Sequence, residues 1–352
     1  MRSLLLAALL AVVPGAPLCA QDITLPAGDR VRLAEAFRLV RSIGDSAWRG
    51  WGTAPFAVLL LTPDAEFLLH HPAPTPDFVR AGFDSVLGTE VYRRAPTLPP
   101  TLLATFPAVG GVNTVVVGGA GPTGRRSTQW VLTVMHEHFH QLQMSHPSYQ
   151  PALRAIDLAR GDETGQWMLS FPFPYQAPQV RTRFAAFTAA LLAAAFAPPP
   201  TGTASPVPAA ALGQVIATRT ALKAALTPAD YRYLGFQMWQ EGVARYIELR
   251  VARLASRLAE PSAAMRALPD FTSYADEADA LEHEIRTAAT VLPMAVARRV
   301  AFYPVGAAYA MLLDRVRPAW ATDYFSGALT LDGALLQAPV APRKARRHAR
   351  VR

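Results

Sequence analysis

The 352-residue chain holds a single cysteine, Cys19. It lies in the first twenty residues, so the rest of the chain has no disulfide, no thiolate nucleophile and no cysteine-ligated zinc. The body of the chain must be held together by its core, and about 330 residues suffice for that. Excess charge is also missing from that body. The formal net charge is +8, but six basic residues stand in the terminal run (Arg343, Lys344, Arg346, Arg347, Arg350, Arg352) and one more is Arg2. Setting those seven aside leaves about +1, so no global field steers the body to nucleic acid and none is expected as a partner. The basic tail, residues 336–352, reads as a solvated end, with contact to an anionic surface as the alternative. Long hydrophobic runs are absent too. Residues 4–13 are apolar but too few to span a bilayer. Preceded by Met1-Arg2-Ser3 and followed by Leu18-Cys19-Ala20, they read as a cleaved signal peptide over residues 1–20 and imply export to the periplasm or beyond. A lipid anchor on Cys19 would call for a small residue where Leu18 stands. Residues 183–197 are Ala-rich and apolar over about fourteen positions, a buried helix rather than a membrane span. The glycines of residues 118–124 lack the Gly-x-x-x-x-Gly-Lys pattern of a phosphate loop.

What is present centres on His136-Glu137-His138-Phe139-His140. On a helix, residues four apart lie about 40° apart, so the imidazoles of His136 and His140 can reach one ion. Glu137 stands beside them, placed to take a proton from a metal-bound water rather than to bind the metal. His138 is rotated roughly 160° to 200° from both and should point away. Val131, Met135 and Leu142 form an apolar stripe, while Leu132, His136, His140 and Gln143 line a neighbouring face; Ser127 or Thr128 offers an N-cap. A zinc site of this kind needs a third protein ligand, and Glu241 is the candidate.

Glu241 lies in a helix expected to start at Thr227-Pro228-Ala229-Asp230 and run to about residue 254. The run Glu241-Gly242-Val243-Ala244-Arg245-Tyr246 resembles the third-ligand helix of gluzincin metallopeptidases, the His-Glu-x-x-His enzymes whose third ligand is a glutamate. That resemblance implies a zinc ion held by His136, His140 and Glu241, with Glu137 as general base. It covers the two helices and a later Tyr303-x-x-Gly306, not the whole chain. One hundred residues separate His140 from Glu241, and Trp239 stands two residues before the glutamate, where the aminopeptidases usually have it three before. The acidic motif with which those enzymes hold a substrate's amino terminus is missing; its counterpart, residues 117–121, carries no charge. The resemblance therefore implies metal-dependent hydrolysis but not aminopeptidase specificity.

Other roles follow from spacing or from the resemblance. Glu248, seven residues after Glu241 and on nearly the same face, could accept a hydrogen bond from a ligand histidine or form a surface ion pair with Arg245 or Arg253. The resemblance offers Tyr303 as an oxyanion-stabilising phenol, with Tyr309 as its competitor and a structural tyrosine as the alternative. It also suggests that the strand before the metal helix, carrying Asn113, Val115 and Val117, is a sheet edge that pairs with an extended substrate; an ordinary core strand is the other reading.

The expected fold is α+β and zincin-like. A lobe of residues 21–125, with a helix near 30–41, carries a small, mostly antiparallel sheet with strands at 56–61, 66–70, 85–92, 102–106 and 113–117. It packs on a mainly helical lobe of residues 126–335, with the metal helix at the cleft and a Pro-rich insertion at 198–209. The function implied is an exported zinc hydrolase acting on peptide or protein substrates. The alternatives are a catalytically inactive zincin-like scaffold and a zinc amidase or esterase acting on a non-peptide substrate, which share the metal chemistry.

Overall fold

The computed structural model describes residues 24–162, 165–199, 207–325 and 329–337. The segment expected to be a signal peptide, most of the Pro-rich insertion and nearly all of the basic tail lie outside them. The architecture is α+β, with a six-stranded mixed sheet in the N-terminal half and a mostly helical C-terminal half.

Helix α1 (Ala27–Ala47) buries Leu33, Phe37 and Val40, the stripe its periodicity predicts. The sheet is built from β1 (Val58–Leu61), β2 (Glu66–Leu69), β3 (Val79–Asp84), β4 (Thr89–Arg94), β5 (Leu103–Val109) and β6 (Val112–Gly118), in the order β3-β4-β2-β1-β6-β5. Two sequence expectations fail here. Residues 85–92 are not one strand: Gly88, at φ 68°, turns the chain between β3 and β4. Nor is the strand of Asn113, Val115 and Val117 a sheet edge. β6 runs parallel to β1 on one side and antiparallel to β5 on the other, Val115 pairing with both Val58 and Thr105. With both backbone edges engaged it has none to offer a substrate, and its unbroken β-branched run is that of a strand buried on both faces. Val115 and Val117 face the main core, whereas Val116 joins a smaller cluster with Leu59, Leu61 and Phe78 on the opposite face. The open edge on this side belongs to β5.

Helix α2 (Ser127–Ser145) carries the histidines and packs against β5 and β6 as well as α1. Its N-cap is Arg126, not Ser127 or Thr128. The cap comes instead from another part of the chain: Ser127 donates its backbone N–H to Asp270 Oδ2 at 3.0 Å, and its hydroxyl also bonds Asp270. A carboxylate there complements the helix dipole. Trp130 Nε1 donates to Gly118 O at 2.7 Å, tying α2 to the end of β6.

The later helices include α3 (Pro178–Ala195), α4 (Ala209–Ala224) and α5 (Pro228–Gln237), the last capped as expected by Thr227, which accepts from the Asp230 N–H. The expected continuous helix through Glu241 is interrupted. Met238–Gly242 forms a single π-helical turn before α6 (Val243–Leu258) resumes the α pitch and packs on α2. Such wide turns interrupt the regular hydrogen-bond ladder and recur at functional sites. Helices α7 (Tyr274–Val291) and α8 (Phe302–Val316) complete the bundle.

The π-turn is packed on α8 through two glycines. A Cβ on Gly242 would stand 2.4 Å from Gly306 Cα, and one on Gly306 would stand 2.6 Å from Met238 O. Neither clash is with a movable side-chain end, so both positions exclude any larger residue. Gly306→Ala is expected to destabilise the fold by about 1–3 kcal/mol, as overpacking does. Urea denaturation checks this; an unshifted midpoint would show the crossing to be looser than the distances imply.

Candidate metal centre

His136 and His140 project from α2 toward Glu241 on the π-turn. The two Nε2 atoms are 3.1 Å apart, and Glu241 Oε2 lies 3.7 Å from His136 Nε2 and 3.4 Å from His140 Nε2. Ligands bound tetrahedrally to zinc at typical Zn–N and Zn–O distances are separated by about 3.3 Å. The three observed edges bracket that value, so the donors form one face of a tetrahedron of the right size for zinc. The three residues named as candidate ligands from sequence are thus brought together.

The partners of the other ring nitrogens fit the same purpose. His136 Nδ1–H donates to Glu248 Oε1 at 2.7 Å, and His140 Nδ1–H donates to Gln143 Oε1 at 2.6 Å. With a proton held at each Nδ1, Nε2 is the nitrogen each ring would give up to a metal, and both point toward Glu241. Glu248 takes both roles open to it from sequence, since its second oxygen accepts from Arg245 at 2.6 Å. Gln143 continues the chain of bonds: its amide donates to Gln240 O at 3.0 Å and to the Tyr324 hydroxyl at 2.7 Å, which itself donates to Trp239 O at 2.6 Å. Two carbonyls of the π-turn are thereby satisfied by the network that orients His140.

Electrostatics favour positive charge at this point. Burial opposes a charged imidazole at His136, but Glu241 and Glu248 outweigh it and push the ring up to about 10. Burial likewise opposes ionisation of Glu241, yet His140 and His136 hold it far below the usual carboxylate range. An arrangement that draws a proton onto the buried His136 ring draws a dication more strongly.

Glu137, also buried, is held by a contact that carries no signal in the sequence. Thr105 Oγ1 on β5 lies 2.9 Å from Glu137 Oε2 and 2.8 Å from the Glu137 carbonyl. Tyr303, at the start of α8, accepts from Arg299, whose NH1 stands 3.7 Å from Glu241 Oε1. Burial raises the Tyr303 phenol well above its ordinary range, and Glu241 raises it further. Its competitor Tyr309 is elsewhere, donating to Asp332 at 3.2 Å within a buried cluster around Arg219. The main-chain carbonyl of Asn113 accepts from the Gln141 side chain at 2.9 Å, tying β6 to α2.

His138 faces away, as its spacing requires. Its ring stacks on Phe56 with centroids 3.7 Å apart, its Nδ1 meets Gln141 Oε1 at 2.9 Å, and burial drives its pKa down to about 3. Of the residues not assigned from sequence, only Gln143 carried a signal, since it lies three residues from His140 on the ligand face. Thr105 and Arg299 come from distant segments with no motif of their own. Compared with known protein families, curated proteins and solved structures, the chain matches none.

Elemental analysis should find near-stoichiometric zinc in the protein and in His138→Ala, and little in His136→Ala, His140→Ala or Glu241→Ala. Glu248→Gln should retain the site with about 10–100-fold weaker zinc affinity. Full occupancy in the three ligand variants would remove the proposed centre.

Proposed function

We propose that the protein is an exported zinc-dependent hydrolase of gluzincin type acting on peptide bonds, with Glu137 as its general base. The observation that carries this reading is the preset donor face. Two imidazoles and a carboxylate converge at tetrahedral spacing, each imidazole has its proton held on the far nitrogen, and a further carboxylate stands one residue away. When bound, zinc supplies Lewis acidity that makes a water molecule easier to deprotonate and a carbonyl easier to attack.

The chain's own residues divide the remaining work. Glu137 accepts the water's proton and can return it to the leaving amine. Thr105 suits both states of that carboxylate. Its single hydroxyl proton can serve the Glu137 side chain or main-chain carbonyl; once Oε2 carries a proton, Thr105 Oγ1 can accept from it while donating to the carbonyl. Arg299 and the Tyr303 phenol lie on the Glu241 side and could stabilise negative charge developing on the substrate oxygen.

Glu137→Gln keeps the size of the side chain and removes the proton acceptor. The variant should fold and keep its zinc yet lose at least about two orders of magnitude in turnover. Zinc content and hydrolysis of a broad peptide library, measured on one preparation, test this. Hydrolysis unaffected by the substitution would assign the base elsewhere. A zinc-loaded parent that cleaves no peptide, amide or ester would favour a binding scaffold.

A further inference from the structure

The metal centre engages Arg299 but not its neighbour. Arg298 has φ 51° and ψ −128°, the backbone of the first central position of a type II′ turn. Glycine is the usual residue there because a Cβ crowds the backbone, so an arginine costs folding free energy. The turn sends two consecutive guanidiniums in different directions. Arg299 goes to Tyr303 and Glu241, while Arg298 stands 5.4 Å above the Tyr175 ring. There it lines a cavity of about 330 Å³ with Phe173, Tyr175, Gln176 and Ala295. Gln176 Nε2 donates to Ala295 O at 2.8 Å and joins the two walls.

This cavity is short of negative charge. No acid lines it, and among the described residues Arg298, whose side chain reaches solvent, has no carboxylate partner. Val296 and Val300, 79% and 46% exposed, stand two residues before and after the arginine in the chain. Packed aromatic rings lead from the cavity toward the segment that carries Tyr303. The Tyr175 and Tyr233 hydroxyls are 3.5 Å apart, and the Tyr175 ring stacks at 5.9 Å on Phe302, the residue before Tyr303. Burial raises the Tyr175 phenol, while Arg298 and Arg299 both pull against it, as two nearby cations should.

We propose that this cavity binds a carboxylate of the substrate, received by the Arg298 guanidinium while Val296 and Val300 meet the apolar part of the same molecule. A guanidinium presents a planar fork of donors matched to a carboxylate, and the aromatic face beneath it fixes its plane. The retained strain at Arg298 is then explained by what the side chain binds. Placement of the bound group beside a scissile bond rests on the hydrolase reading; binding itself does not.

Calorimetric titration of zinc-loaded Glu137→Gln protein with short apolar peptides tests the proposal. One pair differs only in a C-terminal carboxylate or amide, and a second, amidated pair only in an internal Glu or Gln. At least one charged peptide should bind about tenfold or more tightly than its neutral match, about 1.4 kcal/mol, and the responding pair identifies the carboxylate. Arg298→Gln should abolish the preference without changing affinity for neutral peptides. Arg298→Gly should abolish it and raise the melting temperature, because glycine relieves the turn. Equal binding of charged and neutral peptides, a preference surviving Arg298→Gln, or a lower melting temperature in Arg298→Gly would each overturn the proposal. A charge preference in a parent protein that cleaves nothing would leave this subsite standing and remove the hydrolase; cleavage without preference would do the reverse.

Discussion

The contact of Gly242 with Gly306 is the constraint on which the centre depends. It lets the backbone of the π-turn lie directly on the first turns of α8, closer than any side chain would permit. Glu241 is the residue before one of these glycines, and Tyr303 stands one helical turn before the other. Bringing the two backbones together therefore delivers Glu241, the third candidate donor, together with the Tyr303 phenol and the neighbouring Arg299 to one point. The glycines of two separate sequence motifs are two halves of a single packing contact.

Around that contact the protein carries an unusual density of buried polar groups. His136, Glu137, His140, Gln143 and Glu248 are all less than a tenth exposed. Each would be costly if unpaired. Nearly every one is paired: Glu248 between His136 and Arg245, Gln143 between His140 and the carbonyl of Gln240, Glu137 against Thr105. Because the partners come from α2, β5, the π-turn and α6, the polar network also fixes how these elements pack. The geometry of the three donors is thus a property of the whole core and not of one helix.

The sheet has a narrower part. Its buried strands support α2 from below, and β5 alone reaches the Glu137 carboxylate. Thr105 thereby couples the orientation of Glu137 to the position of an edge strand whose outer backbone is open, while β6, enclosed by two neighbours, serves only the core.

The sequence by itself determined what depends on near neighbours along the chain. The period of a helix places His136 and His140 together and turns His138 away, whatever the fold. The same short-range geometry marks α1, the Thr227 cap and the face on which Glu248 lies, because these depend on residues within two turns of one another. Pairing of distant segments was not legible in that way. The run 113–117 reads equally as an edge or a core strand, since β-branched residues suit both, and only the arrival of β1 and β5 on its two sides decides it. The cap on Ser127 comes from Asp270, the grip on Glu137 from Thr105, and the approach of Arg299 from a turn with no motif. Even the π-turn, local in extent, is settled at a distance: its freed carbonyls are satisfied by Gln143 and Tyr324, and its glycine is accommodated by α8. Local spacing names the candidate ligands; the tertiary contacts that satisfy their buried polar atoms decide where they stand.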